Sequence, residues 1–201
     1  MKRASLILLL VVSLVLSSCV SQKSVPTGSS NRVLLILREQ TFSANKQYMN
    51  NNEALVMKSM LEEAGFRVVI ASASARTFIR EDITLESNLK LSEAKIGDYV
   101  GFIIPCMSLG NSIVKPEEVT IAKQAVVSGK PVAAQRKGVL ILSNAGVLEG
   151  KRHAYNTGQG VFIDEGVVQD GNIITSAYCP YHGSLDQTVE LTQALIAALQ
   201  E

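Results

Sequence analysis

Apolar residues along this chain form short unbroken runs separated by segments with helical spacing. The runs VLLIL at residues 33–37 and FRVVIA at residues 66–71 predict strands, the first of them buried on both faces. Residues 53–64 between them carry apolar side chains at helical spacing and end at Gly65, which predicts a helix with a glycine stop. Strand, helix and strand in this order predict a right-handed crossover and a parallel sheet.

The centre of the chain is the stretch KPVAAQRKGVLILSNAGVL at residues 130–148. Its apolar run at 132–134 predicts a strand, and the spacing over 138–145 predicts a helix that ends at Asn144-Ala145-Gly146. A sharp strand-to-helix turn of this kind holds the nucleophile of many α/β enzymes at the edge of the sheet.

The remaining pattern completes a single domain over residues 32–201. Residues 83–85 and 89–91 predict short strands or extended segments, and 116–128 predicts a helix that begins with proline. Segments 150–154, 160–163 and 166–176 predict strands, the last with a hairpin turn at Asp170-Gly171. A final helix is predicted over 184–199. The inward residues are predicted to be Leu55, Val56, Met60 and Leu61 in the first helix, Val119, Ala122 and Val126 in the second, and Leu185, Val189, Leu195 and Leu199 in the last.

The N-terminal segment predicts export. Lys2 and Arg3 precede a 13-residue apolar run that is too short to span a bilayer core of ~30 Å, so residues 1–18 read as a signal peptide. The run ends in Leu-Ser-Ser-Cys, which is similar to a bacterial lipobox and implies lipidation of Cys19. The alternative is an ordinary signal peptide with a chance cysteine. Residues 19–31 are rich in Ser, Gly and Pro, which predicts a flexible tether.

Composition narrows the choice of partners. The chain is 47% apolar and 18% charged, as expected for one globular domain, and its net charge of +1 gives no electrostatic case for nucleic acid. Val20 follows the lipobox cysteine, and the absence of Asp there predicts outer-membrane sorting if the host has two membranes. A membrane is therefore the predicted partner through Cys19, and the cell envelope is the predicted location.

The central stretch resembles the nucleophile elbow of the ThiJ/PfpI family, also called DJ-1/PfpI, within the class I glutamine amidotransferase-like superfamily. That family typically reads K-P-V-A-A-I-C-H-G-x-x-x-L-x-x-A-G-L-L. Residues 98–105 (DYVGFIIP) resemble its strand D-Y-D-A-L-V-I-P, and residues 170–176 (DGNIITS) resemble its D-G-N-L-I-T-S. The resemblance implies an α/β three-layer sandwich, flavodoxin-like, with a mostly parallel sheet.

The same resemblance implies that the family's chemistry has been removed. The position of the nucleophilic Cys holds Arg136, and the following His position holds Lys137. The match to the elbow predicts that Arg136 lies in a strained turn with a positive φ. A guanidinium is not a nucleophile, so this elbow cannot do thiolate chemistry. Cys106 and Met107 replace the two glycines whose amides help build the family's oxyanion hole. Glu53 falls in the register of the family's pocket acid, which predicts an ion pair with Arg136; a solvent-exposed Glu near a helix N-terminus is the alternative.

Cys106, Cys179 and His182 are the other chemical candidates. After lipidation of Cys19, export leaves Cys106 and Cys179 as a disulfide candidate, and the family topology brings both to the pocket rim. The alternative is a displaced Cys179/His182 nucleophile pair. These side chains are too few for a convincing zinc site, so no metal or cofactor is predicted. His153 is predicted to lie at the surface, and the family's histidine falls near residues 156–157, which offer no base.

These features predict a membrane-anchored ThiJ/PfpI-like lipoprotein without the elbow cysteine, acting as a binding or scaffolding domain. The ligand is an unknown small molecule or anion. A homodimer is implied by the resemblance, because family members are commonly dimers or larger. The rival prediction is a thiol-dependent hydrolase, glyoxalase or deglycase that uses the displaced cysteine. Fold alone does not choose between these functions.

Overall fold

The computed structural model describes residues 31–38, 53–80, 83–106 and 113–201, and a seven-stranded sheet forms the middle of this part of the chain. The strands in chain order are β1 (Arg32–Ile36), β2 (Arg67–Ser72), β3 (Phe78–Arg80), β4 (Ile83–Leu85), β5 (Leu89–Lys90), β6 (Gly101–Ile104), β7 (Val132–Gln135), β8 (Arg152–His153), β9 (Val161–Phe162), β10 (Val167–Asp170) and β11 (Ile173–Ser176). The helices are α1 (Glu53–Glu63), α2 (Pro116–Val127), α3 (Val139–Asn144) and α4 (Thr188–Leu199).

The order of strands in the main sheet is β10-β11-β7-β6-β1-β2-β5. Every neighbouring pair is parallel except β10 with β11, which form a hairpin. The pairs β3–β4 and β8–β9 form two small separate sheets. This topology places the carboxyl ends of β1, β6, β7 and β11 along one edge, where ligand sites of open α/β sheets lie.

Helices cover both faces of the sheet, so the predicted three-layer α/β/α fold is confirmed. Alternate residues of β1 belong to different cores: Leu34 and Ile36 pack with α2 and α3, whereas Val33 and Leu35 pack with α1 and α4. The unbroken apolar run of this strand is therefore explained by burial on both faces.

Glycines set two of the predicted turns. Gly65 follows α1 with a φ of 91°, and Gly171 turns the β10–β11 hairpin with a φ of 61°. Both angles lie in the left-handed region, which glycine adopts without the steric cost of a Cβ. The helix stop and the hairpin predicted from these glycines are both confirmed.

The helices exist as predicted, but several inward residues were predicted wrongly. Leu185 lies in a 3₁₀ segment before α4 and is 56% exposed, and Val189 is 44% exposed. In α1, Val56 faces outward, and in α2, Val119 is only half-buried, whereas Val126 is partly buried and packs against the core as predicted. The buried residues are Glu53, Ala54, Met57 and Leu61 in α1, Glu118, Ile121, Ala122 and Ala125 in α2, and Thr188, Leu191, Thr192 and Leu195 in α4. The apolar spacing alone did not fix the rotation of each helix about its axis, because apolar residues also occupy positions next to the buried ones.

A buried ion pair links α2 to the segment that follows β1. The Arg38 and Glu118 side chains are 2% and 3% exposed, and Arg38 Nε lies 3.7 Å from Glu118 Oε2. The same carboxylate accepts a hydrogen bond from the Lys115 backbone N–H at 3.0 Å, which satisfies a donor at the start of the helix. Burial, above all, raises the pKa of Glu118 from its usual range.

The domain includes Asn31, the last residue of the predicted tether. The Asn31 carbonyl accepts a hydrogen bond from the Arg67 N–H at 3.0 Å, and its amide donates to the Gly65 carbonyl at 3.1 Å. The predicted signal peptide, Cys19 and the tether up to residue 30 lie outside the described residues. Within the described ranges, no helix is long and apolar enough to cross a membrane.

Candidate functional site

The predicted elbow lies at the carboxyl end of β7. The strand ends at Gln135, and a 3₁₀ turn over Arg136–Gly138 leads directly into α3. Arg136 has a φ of 43°, in the left-handed region that residues with a Cβ avoid. The predicted positive φ at this position is therefore confirmed, and such a strained conformation is held by the packing of the surrounding structure.

Gly138 is required by a close approach of two strand ends. A Cβ added there would lie 2.7 Å from the Ile104 carbonyl oxygen at the end of β6 and 3.1 Å from the Pro105 carbonyl oxygen. Both atoms are backbone, so neither can move cheaply. The glycine that the elbow motif carries thus allows the turn to sit directly against the end of β6.

The Arg136 guanidinium lies beside two tyrosine rings. Its Cζ is 5.9 Å from the ring centroid of Tyr155 and 6.0 Å from that of Tyr181, both within the range of cation–π attraction. Tyr155 is half-buried and Tyr181 is 52% exposed, so the contacts lie at the mouth of the site. The side chain of Arg136 itself is partly buried.

The predicted ion pair between Glu53 and Arg136 is wrong. Within the described ranges no carboxylate lies within 4.0 Å of the Arg136 guanidinium. Glu53 is nonetheless buried, at 6% exposure, at the first turn of α1, and its charge acts on the Cys179 thiol. The register of Glu53 therefore placed it correctly in the pocket region, but its neighbour there is a cysteine.

Cys106 and Cys179 come together at this edge as thiols, and the predicted disulfide is not formed. Cys106 follows β6, Cys179 follows β11, and both are nearly inaccessible, at 2% and 4% exposure. The hydrogen bond that the Cys179 thiol donates to Cys106, burial and the nearby charge of Glu53 raise the pKa of Cys179 far above its usual range. Cys179 is consequently protonated at neutral pH, which is unsuitable for a nucleophilic thiol.

His182 is a second titratable group beside this thiol. Its Nδ1 lies 3.8 Å from Cys179 Sγ and 3.1 Å from the Cys179 carbonyl oxygen. The imidazole also packs edge-to-face against Tyr178 and Tyr181, with ring centroids 5.3 and 5.5 Å apart. The structure therefore brings together the weakly favoured pair Cys179 and His182, and it links them to the tyrosine that contacts Arg136.

Gln135 and Ser176 are site residues that the sequence analysis missed. Both are fully buried at the ends of neighbouring strands, where they are register partners. Gln135 Nε2 donates to the Tyr178 carbonyl and to Thr188 Oγ1, both at 2.9 Å, which ties β7 to the start of α4. Gln135 Oε1 and Ser176 Oγ have no hydrogen-bond partner within the described part of the chain. A glutamine where the family motif has isoleucine was the available signal.

His153 was predicted at the surface but is completely buried. Its Nδ1 lies 2.9 Å from the Tyr155 carbonyl oxygen and its Nε2 lies 2.6 Å from the Gln159 carbonyl oxygen. The imidazole closes the loop after β8, because both ring nitrogens bind backbone within six residues. It therefore supports the segment that presents Tyr155 to Arg136.

Three further positions named from the sequence contribute less to the site. Lys137 is half-buried in the elbow turn, and Met107 lies outside the described residues. Asn156 Oδ1 accepts a hydrogen bond from the Gly158 N–H at 3.1 Å, so this side chain stabilises a turn. Among the described residues, no group of three or more His, Cys, Asp or Glu side chains is arranged to hold a metal ion.

A parallel sheet between helices, with a strained strand-to-helix turn at its carboxyl edge, defines an α/β protein of the nucleophile-elbow type. The model of the DJ-1/PfpI family matches residues 41–189, and the chain belongs to this family. It is 30% identical over 126 residues to an uncharacterized protein of Archaeoglobus fulgidus, covering 58% of this chain and 75% of that one. It is also 30% identical over 126 residues to a deglycase of Pyrococcus abyssi, covering 58% of this chain and 76% of the relative.

Solved structures show the same fold. The ThiJ/PfpI domain protein of Brachyspira murdochii superposes with a TM-score of 0.67 at 20% identity, covering 86% of this chain and 98% of that one. Oxidized DJ-1 of Toxoplasma gondii superposes with a TM-score of 0.63 at 19% identity, covering 85% of this chain and 91% of that one. At these identities the likeness establishes the architecture, and the function must be argued from the site.

Proposed function

We propose that this chain is an exported, lipid-anchored member of the DJ-1/PfpI family that works by binding and not by thiolate catalysis. The observation that carries the proposal is Arg136 in the strained elbow turn, with a φ of 43°. The backbone device that presents a nucleophile is retained, but its side chain is a guanidinium that cannot attack a carbonyl. The lipid-anchored location rests on the lipobox-like sequence ending at Cys19.

The chemistry of the neighbouring cysteines supports the same conclusion. A catalytic thiol is exposed to substrate and has a lowered pKa. Cys179 is 4% exposed, and the hydrogen bond it donates to Cys106, burial and the charge of Glu53 all raise its pKa. The thiols at this edge therefore contribute to packing around the pocket.

The second candidate is a thiol-dependent enzyme, favoured by one contact and one relative. Cys179 Sγ lies 3.8 Å from His182 Nδ1, and a relative with 30% identity is named a deglycase. For this function His182 would have to remove the Cys179 proton against the effects of burial and of Glu53. The geometry favours the binding function because each of these effects opposes the thiolate.

The two functions separate in a turnover assay. Purified protein is incubated with methylglyoxal, and with glycated amino acids as deglycase substrates, beside Cys106→Ser and Cys179→Ser variants. The binding function predicts no turnover above the buffer rate for any of the proteins. Turnover that disappears in Cys179→Ser and in His182→Ala would refute it in favour of the thiol enzyme.

The anchor and the assembly have their own tests. Metabolic labelling with a fatty acid followed by membrane fractionation should label the native protein and leave a Cys19→Ser variant unlabelled and released from the membrane. An outer-membrane fraction is expected if the host has two membranes. Light scattering of the Cys19→Ser protein tests the homodimer that the family resemblance implies. A labelled Cys19→Ser protein would refute the lipobox.

A further inference from the structure

The Arg136 side chain is the strongest candidate for a ligand contact in the described part of the chain. Within the described ranges its guanidinium takes part in no ion pair and donates no hydrogen bond to a protein oxygen. A guanidinium offers a planar fork of N–H donors that matches the two oxygens of a carboxylate or phosphate. The donors of the partly buried Arg136 guanidinium have no acceptor within the described part of the chain, so they can bind an anion.

Two aromatic rings orient this fork. Tyr155 and Tyr181 lie 5.9 and 6.0 Å from the guanidinium carbon. Cation–π contacts restrict the motion of a long side chain without using its N–H donors. The loop that carries Tyr155 is held by the buried His153, and Tyr181 packs against His182. The structure therefore fixes the position of the cation before any ligand arrives, which lowers the entropic cost of binding.

The adjacent strand ends carry a second signal. Gln135 Oε1 and Ser176 Oγ are completely buried and have no hydrogen-bond partner within the described part of the chain. Gln135 directly precedes Arg136, and Ser176 in β11 is the register partner of Gln135. Buried polar atoms are rarely left without a partner from protein, water or ligand. A polar ligand at the elbow would bring new partners close to these atoms.

The charges around the site select the kind of anion. Arg136 and Lys137 contribute positive charge, whereas Glu53 is buried at the same edge near Cys179, and Asp186 lies 3.5 Å from Gln135 Nε2. The acids oppose the accumulation of negative charge. We propose that Arg136, flanked by Tyr155 and Tyr181, binds the carboxylate of a small singly charged acid in preference to a phosphate. This inference rests on the proposed non-catalytic elbow.

The test is a nuclear magnetic resonance titration of the Cys19→Ser protein that follows the backbone N–H signals of the elbow residues in every variant, and the Arg136 Nε–H signal where Arg136 is present. Acetate should shift the Arg136 signal saturably with a Kd of about a millimolar, and inorganic phosphate should bind about tenfold more weakly. Arg136→Lys, which keeps the charge and loses the fork, should weaken acetate binding about tenfold. Tyr181→Leu should weaken it severalfold.

The matched control is Arg76→Gln, since Arg76 is exposed and its loss should leave the acetate affinity unchanged. The inference is overturned by a linear, non-saturating acetate response, by unchanged affinity in Arg136→Lys, or by tighter binding of phosphate. If acetate fails to bind while the protein still turns over no methylglyoxal, the carboxylate site is refuted and the non-catalytic function stands. Cysteine-dependent turnover would refute the function itself.

Discussion

The backbone at residue 136 offers a prediction in which the sign of the effect is the test. At an ordinary helical position, replacing glycine by alanine stabilises a protein by about 1 kcal/mol. Arg136 has a φ of 43°, where a Cβ costs about 1–2 kcal/mol. Glycine avoids this cost but loses about 0.5–1 kcal/mol through the greater freedom of its unfolded chain. Arg136→Gly is therefore expected to be more stable than Arg136→Ala by roughly 0.5–1 kcal/mol.

This comparison removes the arginine side chain from both variants, so the tyrosine contacts cancel. The matched control is Lys123, an exposed residue in the middle of α2, where Lys123→Ala should be more stable than Lys123→Gly by about 1 kcal/mol. Urea unfolding measures all four free energies, and the m-values should agree because the surface exposed on unfolding is the same. If alanine is favoured at residue 136 by as much as at residue 123, the strained elbow is wrong.

Three further predictions concern the buried groups of the site and its supports. The free energy of unfolding should fall as the pH rises above about 8.5, the usual thiol pKa, because the thiol ionises in the unfolded chain while Cys179 stays protonated in the folded protein. Urea unfolding at several pH values measures this slope, and Cys179→Ala should flatten it. Glu118→Ala should destabilise the protein by about 3 kcal/mol because it removes the carboxylate that lies 3.7 Å from the buried Arg38 guanidinium. Glu117→Ala, at an exposed neighbour, should cost less than about 0.5 kcal/mol, and equal costs would contradict the buried pair. Gly138→Ala should destabilise the protein by about 1–3 kcal/mol because the added Cβ overlaps backbone atoms. Gly146→Ala should cost less, since a Cβ there meets no atom within 4 Å and only the φ of 68° opposes it, and thermal unfolding ranks the two variants.

Much of the architecture could be predicted from local signals. The run at 33–37 lies inside a strand that is buried on both faces, and β1 with β2 forms the predicted parallel unit. Gly65 and Gly171 marked a helix stop and a hairpin because only a residue without a Cβ adopts their positive φ cheaply. The positive φ of Arg136 was predicted from the motif around it.

The wrong predictions share a physical cause. His153 and Glu53 are polar, and polarity alone favours the surface or an ion pair. The partners of His153 are carbonyl oxygens two and six residues further along its own loop, and the charge of Glu53 acts on Cys179. Such partners are chosen by the folded backbone, and nothing in the local spacing specifies them. The same holds for Val189, whose exposure depends on how α4 is rotated against the sheet.

The sequence by itself determined the family, the strand and helix order and the loss of cysteine from the elbow, because each depends on residue identity and short-range spacing. Tertiary structure decided which groups meet at the sheet edge. It brought Cys106 and Cys179 together as buried thiols across 73 residues and left Arg136 beside Tyr155 and Tyr181 instead of a carboxylate. Long-range contacts of this kind depend on side-chain direction and burial after the chain has packed, which a one-dimensional pattern does not contain.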